Sequence, residues 1–273
     1  MIQELTLAPG ERARFISDIH FGHAKALVRE PEKLAFLLEG CTHLVVCGDL
    51  SETRESPYRA EGLEKRARFL QMCRDEGVQP ILLAGNHDPY EETALLKLQG
   101  GLICALHGHA LFKEVAPWGW EYLKNKQASR ELIAAFPEAD TDLRKRLELA
   151  RAMSVLVPPI DTRSRVYRNR LARFLAHSAW PPERPMQILL AWLTMMWRMR
   201  RFTNRFFPEA QVVIFGHLHR RAVAGEVGGR LYVNLGACFH HAECYAADVT
   251  AEGSVSIRSY TPEGYDGPAE ILR

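Results

Sequence analysis

The chain has 273 residues, 47% of them hydrophobic and 25% charged, with a formal net charge of +2. This is the composition of a soluble globular protein with a sizeable core, and its charge makes no case for nucleic acid as a partner. No stretch has the ~18 apolar residues of a membrane span, MIQELTLAPGER lacks a signal-peptide core, and six cysteines without a CxxC pair read as reduced thiols, so a cytoplasmic chain is expected and a zinc finger is not.

In chain order, ARFIS (13–17) is the first strand expected. PEKLAFLLEG (31–40) has a helical pattern closed by Gly40, and HLVVCG (43–48) is the second strand. A second helix is expected from Tyr58 to Glu76, with Leu63, Ala67, Leu70 and Cys73 on one face. Strands follow at PILLAG (80–85) and GLICALH (101–107). This alternation predicts a layered α/β fold with a parallel sheet. From Pro117 to Phe207 the strand signal disappears. Leu143, Leu147 and Ala150 predict a helix capped by Asp140 or Thr141. Val166, Leu171 and Phe174 predict another, and Pro185 opens a third. Strands resume at QVVIFG (211–216), at RAVAGEV and RLYVNLG around Gly228-Gly229, and at ECYAADVT and SVSIRSYT around Gly253. The expectation is a single domain over 1–273 with a helical insertion over 117–207.

The first strand ends in an unusual way, delivering Asp18 and His20 to one face, as residues i and i+2 of an extended segment do. A carboxylate beside an imidazole suits a divalent metal or, equally, a hydrogen-bonded pair. The other strand ends carry Gly48-Asp49, Gly85-Asn86-His87-Asp88, His107-Gly108-His109 and Gly216-His217-Leu218-His219. In an open α/β sheet these ends share a crevice. Five clusters of carboxylates, imidazoles and one amide, without a thiolate, point to two divalent ions. The absence of GxxxxGK[ST] excludes a P-loop enzyme.

In DIH (18–20), GD (48–49), GNHD (85–88), HGH (107–109) and GHLH (216–219), in that order, the chain resembles the calcineurin-like metallophosphoesterases. The resemblance implies a four-layer αββα sandwich and a two-metal phosphoesterase acting on a phosphate mono- or diester through a hydroxide that bridges the ions. It implies that Asp18, His20 and His219 hold one ion, that Asn86, His107 and His217 hold the other, and that Asp49 bridges them. It places His87 over the phosphate as the group serving the leaving oxygen, with Asp88 orienting it. His23 and His109 are further candidates for substrate contact, and His240 and His241 for the rim of the site. Mn²⁺ is the first choice of metal, with Fe, Zn and Mg also compatible.

The insertion bears on substrate. Between Arg163 and Arg205 stand ten arginines and one acid, Glu183. Wound as a helix, 186–205 is apolar around most of its circumference. It can pack within the insertion, form a homodimer, or meet an anionic membrane or lipid, which would make the protein peripheral on the inner membrane surface. The placement is similar to that of the insertion in UDP-2,3-diacylglucosamine pyrophosphatases, the alternative reading. That branch carries Arg where this chain has His87. A non-catalytic metal-binding scaffold is a further alternative.

Overall fold

The computed structural model describes residues 1–156, 183–219, 224–239 and 242–273. The expected helix through Val166, Leu171 and Phe174, the first residues of RAVAGEV, and His240 and His241 lie outside them. The chain divides into two compact units, one of Met1–Arg54, Tyr58–Gly108 and Phe207–Arg273, the other of Glu55–Pro57 and His109–Phe206.

The first unit is built on two six-stranded sheets. In one, β2 (Arg12–Ile16), β3 (His43–Val46) and β4 (Gln79–Leu82) run parallel, and β10 (Cys244–Thr250), β11 (Val255–Thr261) and β12 (Gly264–Ile271) extend it antiparallel from β2. The other has the order β1 (Ile2–Leu5), β5 (Leu95–Leu98), β6 (Ile103–Leu106), β7 (Val212–Phe215), β9 (Arg230–Asn234), β8 (Ala224–Val227). The strand signals were therefore sound, but GLICALH joins the second sheet rather than continuing the parallel one.

Strand alternation sorts the core into layers. Phe15, Val45 and Ile81 turn inward and share one cluster with Leu96, Ile103 and Ile214 of the other sheet. Ile16, Leu44 and Val46 point the opposite way, to Phe69 and Cys73 of α1 (Arg59–Asp75) and to Leu34 and Leu37. The latter two lie in Pro31–Leu38, which is a 3₁₀ helix rather than the α-helix its pattern suggests. The layered α/β sandwich is thus the fold of this unit. Arg14 pins the register of β2 against β10: its guanidinium holds Asp248 at 2.7 and 2.8 Å and donates to the Leu37 and Glu39 carbonyls.

The described elements of the second unit are helical: α2 (Trp120–Lys124), α3 (Lys126–Ala134), α4 (Leu143–Leu156), α5 (Glu183–Phe206) and short 3₁₀ turns. Its longer segment runs from His109 to Phe206. The cap of α4 is Asp142, whose Oδ1 accepts from the Arg144 and Lys145 amides at 2.7 and 3.1 Å. Asp140 is engaged elsewhere, by Lys113 at 2.7 Å.

Candidate metal centre

Five strand ends supply the site: Asp18 and His20 follow β2, Asp49 follows β3, Asn86, His87 and Asp88 follow β4, His107 follows β6, and His217 and His219 follow β7. Each strand stops because the next polar residues turn out of the sheet. Of the seven non-glycine residues with positive φ among the described residues, five are Asp18, His20, Asp49, His217 and His219. A left-handed backbone costs such residues about 1–2 kcal/mol each, and strain of this kind gathers at functional sites. Two glycines permit the approach: a Cβ on Gly85 would run into the Asp49 carboxylate, and one on Gly216 into Ser17 Oγ and the Asp18 carboxylate.

Among the described residues, three groups of His, Asp and Glu gather their donor atoms within 4.8 Å of one another: Asp18 with His20 and His219, His20 with Glu52 and His87, and Asp18 with Asp49 and His107. His20 Nε2 lies 3.2 Å from His219 Nε2, which is 3.1 Å from Asp18 Oδ1. His107 Nε2 lies 3.2 Å from both Asn86 Oδ1 and Asp49 Oδ2. Asp49 Oδ2 is also 3.7 Å from His20 Nε2, so it stands between the two histidines. His217 donates its amide to Asp18 Oδ2 at 2.9 Å, and its ring centroid is 5.0 Å from that of His107.

The donor set fits a cation. His107 Nδ1 donates to the Cys47 carbonyl at 2.8 Å, which turns Nε2 toward Asn86 Oδ1 and Asp49 Oδ2. His20 is arranged alike, with Nδ1 on Glu52 Oε1 at 3.1 Å. Ring nitrogens and carboxylate oxygens converging on one point need positive charge there, as protons or as a cation. The buried carboxylates supply the pull for it. Burial lowers the pKa of His20, but Asp18, Glu52 and Asp49 outweigh it and raise it to about 10. Burial likewise opposes His107, yet Asp49 and Asp18 raise it to about 9. Asp18 and Asp49, fully buried, are nonetheless held well below the carboxylate range by the facing histidines.

One residue departs from its expected role. Asp88 does not face the His87 ring. Its carboxylate accepts the amides of Asp49, Leu50 and Gly85 at 2.9, 2.8 and 2.8 Å, knitting two loops together. The ring is held instead by Glu52, whose Oε2 lies 2.8 Å from His87 Nδ1 while Oε1 takes His20. Arg54 Nη2 also approaches Nδ1, at 3.3 Å. The shorter, charge-assisted contact sets the tautomer and leaves His87 Nε2 for a ligand. Glu52 itself is buried, and His87 and His20 hold it far below the usual carboxylate range against that burial.

Glu52 was not legible as a site residue, although an acid three positions after Asp49 is the one signal available. Its position depends on Gly62 of α1, where a Cβ would meet the Glu52 carbonyl oxygen at 2.8 Å. Phe239 was also missed. Its ring packs against His20, His23 and His219 at 5.0, 4.8 and 5.0 Å. His23 lies between Phe239 and Tyr58 rather than in a donor group, and burial, with His20 nearby, lowers its pKa to about 3. His109 is buried in the 3₁₀ turn His109–Leu111 of the second unit and belongs to none of the three groups.

Residues 12–221 match the family model of the calcineurin-like phosphoesterases. A search of curated proteins found no match. Similar solved structures include a predicted phosphoesterase of Streptococcus pneumoniae TIGR4, 14% identical over 96% of each chain with a TM-score of 0.40. Vps29 of Entamoeba histolytica, solved with Zn²⁺, is 12% identical, over 96% of this chain and 99% of its own, with a TM-score of 0.42. The cold-active protein-tyrosine phosphatase of a Shewanella species is 12% identical, over 100% and 82%, with a TM-score of 0.42.

Proposed function

The chain belongs to the calcineurin-like phosphoesterase family, and from that premise we propose that it is a divalent-metal-dependent hydrolase of phosphate mono- or diesters. The observation that carries this reading is the buried His107 Nε2, which lies 3.2 Å from two oxygens, Asp49 Oδ2 and Asn86 Oδ1, at the meeting point of three strand ends. Asp18, His20 and His219 would hold one ion, and Asn86, His107 and His217 the second. Asp49, standing between His20 and His107, would serve both. Mn²⁺ is the first choice for nitrogen and oxygen donors without a thiolate, with Fe, Zn and Mg also compatible. Such ions supply Lewis-acid polarisation of the phosphoryl group and neutralise its charge.

The chain's own residues do the rest. His87 would direct Nε2 at the leaving oxygen as proton donor, and Glu52 holds the ring in place through Nδ1. Asp88 fixes the turn that carries Asn86 and His87 by gathering three backbone amides.

A second reading, hydrolysis of a lipid-linked nucleotide pyrophosphate, is favoured by α5, which exposes Met186, Leu189, Leu190, Leu193 and Trp197. His87, in place of that branch's Arg, favours the first. The test is a turnover screen with Mn²⁺ across phosphomonoesters, phosphodiesters and nucleotide-diphosphate lipids. Turnover of a soluble ester, lost on His87→Ala, supports the proposal. Metal binding without turnover of any of them would leave a metal-binding scaffold.

A further inference from the structure

The second unit contains a cavity of about 810 Å³ that includes none of the donor residues of the metal centre. Among the described residues, its charged lining is Lys113, Arg146, Arg198, Arg201 and Arg205 with Glu114 and Asp140. Asp140 is already neutralised, by Lys113 at 2.7 Å and by Arg146 Nη1 at 3.5 Å. Arg146 is buried and fixed to the Ala110 and Leu111 carbonyls at 2.7 and 3.1 Å, so it is part of the wall. The three arginines of α5 are placed otherwise. Arg198 lies over the Phe112 ring at 4.8 Å with Nε on Thr194 Oγ1, and Arg201 over the Trp197 ring at 5.5 Å. Among the described residues no carboxylate lies within 4.0 Å of Arg198, Arg201 or Arg205.

Three guanidinium groups at i, i+3 and i+7 share one helix face that lines the cavity. An anion in the cavity would meet all three. Guanidinium forks match the oxygens of a phosphate, which offers more acceptors than a carboxylate and can be shared among several arginines. A cavity of ~300–1,000 Å³ suits a small organic ligand rather than a lone ion. Trp197, Phe202 and Phe206 supply apolar wall beside the cations. We propose that this cavity is a second anion site, taking the phosphate group of a ligand whose apolar part lies on the aromatic residues of α5. That phosphate could be a lipid headgroup's or a soluble phosphate ester's. The chemistry is shared, and the experiment separates the sources.

The probe is phenylphosphonate, which the protein cannot hydrolyse through its C–P bond, titrated into the full metal-loaded chain by equilibrium dialysis. Arg201 and Arg205 are both exposed, so Arg201→Gln with Arg205→Gln removes charge and leaves the packing intact. The double variant should lose one bound equivalent, or bind it about tenfold or more weakly, as loss of charge-assisted hydrogen bonds predicts. Its melting temperature and its hydrolysis of a small soluble ester should stay as in the parent. Asp49→Ala should keep the cavity equivalent, so failure of the phosphoesterase reading leaves this outcome unaffected. In a second arm, flotation with phosphatidylglycerol but not phosphatidylcholine vesicles, competed by phenylphosphonate, would assign the site to a headgroup. Phosphonate binding without flotation would assign it to a soluble ligand. Unchanged stoichiometry and affinity in the double variant, or in Arg205→Gln should the double variant not fold, would overturn the proposal.

Discussion

Glu52 joins two tasks that the sequence motifs keep apart. One oxygen sets the tautomer of His20, a metal-ligand candidate, and the other holds His87. Glu52→Gln should therefore weaken metal affinity about 10–100-fold, as loss of an outer hydrogen-bond partner does, and also lower turnover. Titration with Mn²⁺ alongside kinetics checks both, and an effect on turnover alone would detach Glu52 from His20. His87→Ala should cost roughly 10²–10⁴ in kcat on unactivated esters. The loss should be much smaller on p-nitrophenyl esters, whose leaving group needs little protonation, and equal losses on both would mean a phosphate-positioning role. His23 allows a pH prediction. Its pKa is depressed to about 3, so the folded chain leaves it neutral while the unfolded chain protonates it below about 6.5. Its contribution to stability is full above pH 6.5 and falls as pH drops toward 3. Nearby cations would lower the pKa further. A His23 ring resonance that titrates near pH 6.5 in the folded protein would contradict this. At this scale the motif residues were legible because strand ends punctuate apolar runs. Glu52 and Phe239 were not, because loop residues have no periodicity and their partners come from distant strands.

α5 divides its apolar residues between two environments. Ala191, Met195, Met199 and Phe202 are buried, whereas Leu193 and Trp197 are 71% and 58% exposed and Trp192 is 41% exposed. Burial of one face explains why the 24-residue helix forms despite marginal propensity at Thr194 and Thr203. Met199→Ala should cost about 2–5 kcal/mol by leaving a core void, and the paired change Trp192→Ser with Trp197→Ser much less. Denaturant melts of the two variants measure the contrast, and a larger loss for the tryptophan pair would place them in the core. The sequence showed this helix as apolar nearly all round but could not say which side is covered. The same limit appears at α1, where the expected stripe included Leu63. The buried residues are Gly62, Lys65, Phe69 and Cys73, since Gly62 must sit against the backbone of Phe21 and Glu52. β12 and β1 were missed because none of their residues is buried and neither carries a run of apolar side chains.

Taken as a whole, the first unit converts two sheets into one polar site. β2, β3 and β4 of one sheet and β6 and β7 of the other end at the same cluster, so no single sheet could assemble it. That convergence was legible from the order of the motifs, although the division of the strands between sheets was not. Backbone strain gathers at Asp18, His20, Asp49, His217 and His219, as it does at functional sites. No helix among the described residues is long and apolar enough to cross a membrane. Metal binding to the folded state alone should raise the melting temperature as mass action requires. The most direct measurement is the metal content of the purified chain and of Asp49→Ala, taken with the hydrolysis of a soluble phosphodiester before and after chelation. The account predicts two divalent ions per chain, activity that vanishes with chelator and returns with Mn²⁺, and loss of both ions in Asp49→Ala. Two tightly held ions in that variant, or ester hydrolysis that survives complete removal of metal, would contradict it.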